Sequence, residues 1–390
     1  MDLKINKEDI QEYINNSDTC NKDEILDELY SIYGVDKDNK SSRLYVINQL
    51  VSSMINNKKV MDNIYNTRRE KLKKLKELKL PEQRSQEWYN MRKQRLTASS
   101  LASALNKDHF TSRSELILSK LEEKPYETNP ITEWGVKYED VAIMFYEELN
   151  NVKVLDFGLV PHPYFDAFGA SPDGICDDTG NLDYIGRMVE IKCPPKRKFT
   201  KTVPEHYKMQ VLGQLEVCNL DECDFFQVKI EEYNDYEEYS KDNFINESTL
   251  RNSWGRTALN FPKGCTLTYI KSNEDKMSYL YPKFNLSDSM YSIWLQENKD
   301  KIEKEGHKFV EAKYWKITRY ECTLLQRNKE WWNNIIPSIL SFYEELLYYK
   351  QDNNIEILKD KVKNILSNKK KKTKAITLQE HQLVSDEEDN

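Results

Sequence analysis

Apolar side chains recur at helical spacing through the first 80 residues, where most other positions are polar. Two such series are Ile25, Leu26, Leu29 and Ile32, and Leu44, Ile47, Leu50, Val51 and Met54. Positions three and four apart lie on one face of a helix. The spacing therefore predicts a helical appendage over residues 1–80. Its Lys-rich end, residues 68–79, is predicted to be a charged connecting helix with a solvated face.

The pattern changes after Pro81, where aromatic residues become more frequent and helical and strand-like periods alternate. The clearest helix lies within residues 131–149, where one face carries Tyr138, Val141, Ala142, Phe145, Tyr146 and Leu149. Apolar runs between turn signals predict strands at 152–160, 168–176, 188–193 and 224–230, with a helix at 204–218. This mixture predicts an α/β (mixed α+β) core over residues 84–230, with a central mixed sheet flanked by helices.

The sequence beyond this core is less regular. Residues from about 231 to 310 include an acidic stretch without clear periodicity, which predicts an insertion or exposed loop. Residues 313–350 are expected to close the domain with a strand and an amphipathic helix, kinked at Pro337. We therefore assign 81–350 to one domain and 351–390 to a charged, disordered tail.

Composition narrows the class of protein. The 390 residues include 24 Tyr, 13 Phe and 7 Trp, enough large side chains for a folded core. No apolar run approaches the roughly 20 residues that span a bilayer, and the first residues lack a signal-peptide pattern. The seven cysteines form no CxxC pair and no zinc-like spacing. We expect free thiols, no membrane association, and a protein that is not secreted but works in a reducing intracellular compartment.

One short segment combines the residue types of hydrolytic chemistry. Asp173 lies in a Ser-Pro-Asp-Gly turn, and Glu190 and Lys192 flank Ile191 in an apolar, strand-like run. Residues two apart in a strand point to the same face, so a carboxylate and an ammonium are brought together. Burying both is costly unless a partner compensates their charge. Mg²⁺ is such a partner, since it prefers oxygen ligands, activates water and neutralises a reacting phosphate.

An ordered series of motifs resembles the PD-(D/E)XK nuclease superfamily, in particular its lambda-exonuclease or YqaJ-type viral recombinase branch. The central motifs are Ser171-Pro172-Asp173-Gly174 and Glu190-Ile191-Lys192-Cys193-Pro194. The flanking motifs are Trp88-Tyr89-Asn90-Met91-Arg92, Leu96-Thr97-Ala98-Ser99, Gly135-Val136-Lys137-Tyr138-Glu139, and Tyr207 with Gln210 and Gln214. The resemblance covers residues 84–230 and implies a restriction-endonuclease-like core.

The resemblance implies a role for each matching residue. The implied metal ligands are Glu139, Asp173, Glu190 and the backbone carbonyl of Ile191, and the implied catalytic lysine is Lys192. Arg92 and Ser99 are implied to bind a terminal phosphate, and an Arg fork beside a hydroxyl at a helix N-terminus is a sound anion site. Gln210 is implied to contact the substrate or to orient the lysine. The second residue of the family's Gln-x-Gln pair is Leu212 here, and Gln214 is the nearest glutamine.

The same resemblance implies an activity and partners. It implies a Mg²⁺-dependent deoxyribonuclease with two ions, Mn²⁺ substituting, that digests linear double-stranded DNA from a free end, 5′ to 3′. The expected context is viral DNA recombination, repair or replication, in the host cytoplasm, a viral factory or the nucleus. A single-strand annealing protein and a homotrimeric ring around DNA are further implied partners.

Two other functions remain open at this point. An endonuclease or single-strand exonuclease would use the same metal chemistry, and a non-catalytic DNA-binding scaffold could retain the fold. The net charge of −7 is the small difference between 58 basic and 65 acidic residues, so it neither requires nor excludes nucleic acid. His162 and His206 are interpreted as structural, because no metal-ligand spacing surrounds them.

Overall fold

The computed structural model of the chain describes residues 5–17, 21–37, 41–122, 129–196, 199, 202–246, 251–253, 255–272, 274–351 and 354–369. The chain divides into two compact units, Met1–Lys76 and Glu77–Asn390. Each unit has its own core and is described separately below. Among the described residues, no helix is long and apolar enough to cross a membrane.

The first unit contains three helices, α1 (Lys7–Asn16), α2 (Lys22–Ile32) and α3 (Ser42–Lys76). Asn6 and Asn21 cap α1 and α2, each by accepting a hydrogen bond from a backbone amide of the first turn. The two apolar series form the buried side of this bundle, where Ile10, Ile14, Ile25, Ile47 and Val51 are almost fully buried. The helices expected in this region are therefore present.

The second unit contains the remaining elements. Its helices are α4 (Gln86–Gln94), α5 (Leu101–Ala104), α6 (Arg113–Leu121), α7 (Pro130–Asn150), α8 (Glu205–Val217), α9 (Tyr236–Lys241), α10 (Asp288–Lys304) and α11 (Lys329–Tyr349). Its strands are β1 (Leu96–Thr97), β2 (Val152–Leu155), β3 (Val160–His162), β4 (Phe165–Ala170), β5 (Gly174–Gly180), β6 (Met188–Lys192), β7 (Glu222–Glu232), β8 (Phe244–Asn246), β9 (Arg251–Ser253), β10 (Lys263–Ile270), β11 (Met277–Leu280) and β12 (Lys308–Gln326).

Seven of these strands form a mixed sheet in the order β11-β10-β12-β7-β6-β5-β2. Only the central pair β6–β7 is parallel, because α8 forms the crossover between them. A second sheet has the order β1-β4-β3, and β8 and β9 pair as a two-stranded antiparallel sheet. The apolar face of α7 packs on the large sheet around Phe226 and Trp315. The predicted mixed sheet flanked by helices is confirmed.

Two of the predicted strands are divided in the structure, and one of these divisions determines where Asp173 lies. The run 168–176 is not one strand, because β4 ends at Ala170 in the three-stranded sheet and β5 begins at Gly174 in the large one. Asp173 therefore lies in the link between two sheets. The run 152–160 is likewise divided, between β2 and β3.

The described residues between about 231 and 310 are largely structured, in contrast to the expected exposed loop. They supply β10 and β11 to the large sheet, and α10 covers a small core of its own that includes Leu267 and Ile302. The strand expected at 313–320 is the middle of the much longer β12. The sequence pattern is weak here because β12 is only partly buried along most of its length.

The expected disordered tail is helical over residues 355–369. Leu358 and Val362 are buried on one side of this helix, and Lys369 donates to a carboxylate oxygen of Glu115 at 2.7 Å. Residues 370–390, which complete the predicted tail, lie outside the described residues. The six described cysteines are free thiols, five of them buried, whereas Cys20 lies outside the described residues.

Candidate active site

The strand β6 places Glu190 and Lys192 at the centre of the large sheet. Glu190 is fully buried, and the Lys192 side chain, 21% exposed, forms an ion pair with it. Asp173 approaches from the start of β5, and one of its carboxylate oxygens accepts a hydrogen bond from the backbone amide of Ile191 at 2.7 Å. The Lys192 ammonium lies 3.9 Å from the same oxygen. The turn that carries Asp173 and the strand that carries Glu190 and Lys192 thus meet in the structure.

Two glutamines of α8 hold the Glu190 carboxylate. Gln210 donates to Oε1 at 2.6 Å, and Gln214 donates to Oε2 at 2.8 Å. Residues four apart lie one above the other on a helix, so both amides reach the same carboxylate. Leu212 faces the core instead and is 5% exposed. Gln210, which was expected to contact the substrate or to orient the lysine, thus donates to Glu190.

The helix α7 presents Glu139 to the same site. Tyr138, Val141 and Ala142 are buried against the sheet, which leaves Glu139 beside the apolar stripe. Its carboxylate accepts a hydrogen bond from the Arg84 guanidinium at 3.0 Å. Arg84 has a backbone φ of 66°, in the left-handed region that non-glycine residues seldom occupy. Glu139, Arg84 and Asp173 line one pocket, together with Asp140 and Asp156.

The acids of this pocket influence one another's ionisation. Burial raises the pKa of Asp173 well above its usual value, and the charges of Glu190 and Glu139 raise it further. Burial also raises the pKa of Glu139, against the opposing charge of Arg84. Burial alone would lower the pKa of Lys192, but the carboxylates of Glu190 and Asp173 raise it above its usual value. The site concentrates negative charge and keeps its lysine protonated.

The residues fit a divalent cation in the chemistry of their donors. All three acids offer carboxylate oxygens, which Mg²⁺ and Mn²⁺ prefer, and added positive charge would relieve the repulsion that raises the pKa of Asp173 and Glu139. Within the described ranges, however, no three carboxylate, imidazole or thiolate groups converge into a ready coordination shell. Each acid is bonded instead to a protein donor: Arg84, the Ile191 amide, or Lys192 with the two glutamines.

The two expected phosphate ligands meet at the entry to α5. The Arg92 guanidinium donates to the Ser99 hydroxyl at 3.1 Å and stacks over the Trp88 ring at 4.4 Å. The Trp88 indole N–H donates to the hydroxyl of Ser171 at 3.0 Å, two residues before Asp173. This bond connects the helix that carries Arg92 to the turn that carries Asp173. Ser99 is exposed, so the Arg92–Ser99 pair is accessible to an anion.

Lys120 stabilises the backbone next to the Arg92–Ser99 pair. Its ammonium donates to the backbone carbonyls of Arg92 and Arg95, at 3.1 and 2.6 Å. Burial lowers the pKa of Lys120 to about 8, and the nearby Arg92 charge adds to this effect.

Sequence reasoning missed part of the site. Arg84 immediately precedes the recognised motifs and gave no signal of its own, because the contact with Glu139 joins residues 55 positions apart. Tyr281, at the end of β11, lies against α7 and donates to the Lys137 carbonyl at 2.7 Å. The region interpreted as an insertion therefore packs against the helix that carries Glu139. His162 stacks on Trp332 at 5.7 Å, in keeping with a structural role.

Comparisons with known proteins agree with the motifs. The family model of the YqaJ-like viral recombinase domain matches residues 87–221. An uncharacterized protein of Acanthamoeba polyphaga mimivirus is 31% identical over 315 residues, which are 73% of this chain and 56% of that protein. The chain thus spans little more than half the length of this relative.

Two solved structures show a more distant likeness. The alkaline exonuclease of Laribacter hongkongensis is 20% identical with a TM-score of 0.39, over 72% of this chain and all of that one. A phage-related exonuclease from Haemophilus somnus is 13% identical with a TM-score of 0.34, over 67% of this chain and 96% of that one.

Proposed function

Residues 87–221 carry a YqaJ-like viral recombinase domain, and on this premise we propose that the chain is a metal-dependent deoxyribonuclease that digests linear double-stranded DNA from an end. The observation that supports this most is that Lys192 forms ion pairs with both Glu190 and Asp173, while Glu139 lines one pocket with Asp173. A scaffold protein gains nothing from burying Glu190 beside two more acids, since each buried carboxylate costs stability.

In this proposal the acids form the metal site. Glu139, Asp173, Glu190 and the Ile191 carbonyl would hold Mg²⁺, as two ions, with Mn²⁺ able to replace it. When bound, the metal lowers the pKa of a coordinated water and neutralises charge on the scissile phosphate. The glutamines orient the Glu190 carboxylate by bonding both of its oxygens.

Lys192 acts in this proposal as a cation. Its raised pKa keeps the ammonium protonated, so it donates hydrogen bonds to the attacking water or the phosphate rather than removing a proton. Its neighbours Glu190 and Asp173 hold it at the reacting centre. A positively charged group positioned in this way stabilises the charge that develops in the transition state.

The Arg92–Ser99 pair provides the preference for an end. A terminal phosphate carries more negative charge than an internal one, and the fork of an arginine beside a hydroxyl suits it. We therefore assign this pair to the 5′ phosphate, which gives 5′-to-3′ digestion and a 3′ overhang. Such a product suits viral DNA recombination or repair with a single-strand annealing partner. A trimeric ring and an intracellular, reducing location complete the proposal.

The test compares a linear 5′-phosphorylated duplex with a covalently closed circle, each in Mg²⁺ and in EDTA. The expected result is loss of the linear substrate alone, in Mg²⁺ alone. Lys192→Ala should abolish this loss, whereas Lys241→Ala, which removes a lysine 72% exposed on α9, should not. Cutting of the circle would establish an endonuclease. Binding without cutting by the folded protein would establish the scaffold.

A further inference from the structure

One aromatic side chain near the site projects into solvent. Phe110, in the loop between α5 and α6, exposes 77% of its surface. A single exposed apolar residue requires no explanation by itself. The position of Phe110 is what distinguishes it from other exposed residues such as Tyr164, which is 93% exposed in the β3–β4 turn.

Phe110 stands at the end of a row of rings that begins at the catalytic lysine. The Lys192 ammonium lies 5.2 Å from the centre of the Tyr207 ring, and Tyr207 lies 4.1 Å from the His206 ring. His206 in turn meets the Phe110 ring edge-on at 6.1 Å. Stacked nucleotides of one strand repeat at about 3.4 Å. The row therefore covers the length of only a few nucleotides, counted from the reacting centre.

The loop holds Phe110 in this position through specific hydrogen bonds. Asp108 accepts from the buried Ser103 hydroxyl at 2.7 Å with one oxygen, and from the Phe110 amide at 2.8 Å with the other. Lys369 donates to the Phe110 carbonyl at 3.0 Å. The backbone on both sides of the ring is thus fixed to the domain. A ring fixed in this way loses little conformational freedom when a flat ligand stacks on it.

We propose that Phe110, with His206 behind it, is a stacking subsite for an unpaired nucleobase of the DNA strand that passes Lys192. This inference rests on the proposed nuclease function and adds a specific contact to it. Phe and His rings stack on any base, so the subsite would grip single-stranded DNA without reading its sequence. An unpaired base beside the site would also help to keep the end of the duplex open.

The test measures binding and needs no cleavage. A single-stranded oligonucleotide containing 2-aminopurine is titrated with the full chain in EDTA, and quenching of its fluorescence reports stacking. Phe110→Ala should weaken binding by about 5- to 100-fold and remove the quenching, as expected for one lost base–aromatic stack. Phe110→Tyr should restore both. Tyr164→Ala is the matched control and should bind as the unmodified chain does.

Other outcomes would overturn the subsite. Phe110→Ala that binds and quenches like Tyr164→Ala would show that the ring contacts no base. Phe110→Leu that retains full quenching would show that no aromatic stack is involved. Circular dichroism of each variant verifies folding, which an exposed side chain should not affect. Failure of the nuclease itself would be seen separately, as an intact linear duplex in Mg²⁺ with the unmodified chain.

Discussion

Gln214 offers the sharpest test of how the site is built. Its amide donates to the buried Glu190 at 2.8 Å, and its own carbonyl oxygen is buried with no hydrogen-bond partner among the described residues. Gln214→Met keeps an unbranched side chain of similar length and removes both polar groups. It therefore deletes the bond to the carboxylate, a longer bond to the Ser171 carbonyl at 3.4 Å, and a costly orphan acceptor in one step.

The two effects of this substitution oppose each other in stability. A hydrogen bond to a charged group contributes about 1.5–3 kcal/mol, and an unsatisfied buried acceptor costs about 1–3 kcal/mol. The free energy of unfolding of Gln214→Met should therefore lie within about 2 kcal/mol of the unmodified chain. The catalytic rate should fall, because removing the unpaired acceptor does not restore the lost contact with Glu190. Loss of a group that orients a metal ligand typically costs about 10- to 100-fold in metal affinity or rate.

The assay pairs urea unfolding with digestion of a linear 5′-phosphorylated duplex over a series of Mg²⁺ concentrations. Gln210→Met provides the comparison, because it removes the bond to the other oxygen of Glu190. Each single variant should lose about 10- to 100-fold in rate at limiting Mg²⁺. The double variant should lose less than the product of the two, since both act through one carboxylate. A folded Gln214→Met that digests DNA like the unmodified chain would refute this role.

Three further predictions concern single contacts. Arg92→Ala should bring the digestion rates of 5′-phosphate and 5′-hydroxyl duplexes together, whereas a preserved preference would place the phosphate elsewhere. Tyr146→Phe removes a 2.7 Å bond to the buried Asp224 and should lower the free energy of unfolding by about 1–3 kcal/mol without slowing digestion; an unchanged denaturant midpoint would contradict this. Lys120 has a folded-state pKa lowered to about 8, so the unfolded chain binds its proton more tightly. The unmodified chain should gain stability relative to Lys120→Met between about pH 8 and 10, and parallel pH profiles would contradict the burial of this ammonium.

The sequence predicted the structure best where a feature depends only on residues that are close together in the chain. The i, i+2 spacing of Glu190 and Lys192 needs only that residues 188–192 form a strand, and the strand is there. The helical spacing of the apolar residues from Tyr138 to Tyr146 likewise correctly predicted that Glu139 lies beside the buried face of α7. Local periodicity determines such placements because it does not depend on what the element packs against.

Contacts between residues that are distant in the chain could not be predicted from the sequence pattern. Arg84 reaches Glu139 through a left-handed backbone position that no composition or period indicates. The strands β10 and β11 join the large sheet, although their segment was interpreted as an insertion or exposed loop. In β10 the apolar residues Cys265 and Leu267 alternate with Thr266 and Thr268, yet both faces of the strand are buried over most of its length. The burial of the threonine face depends on elements distant in sequence, and the sequence pattern of the segment does not indicate it.

The glutamines of α8 show how a departure from a family's pattern can be resolved by geometry. Residues two apart on a helix point in different directions, so a glutamine at position 212 could not share a target with Gln210. Leu212 packs in the core instead, while Gln214, one turn beyond Gln210, reaches the second oxygen of Glu190. The carboxylate is thereby fixed at both oxygens from a single helix face. The replacement at 212 therefore leaves the support of Glu190 intact, and the rate measured for Gln214→Met reports on it directly.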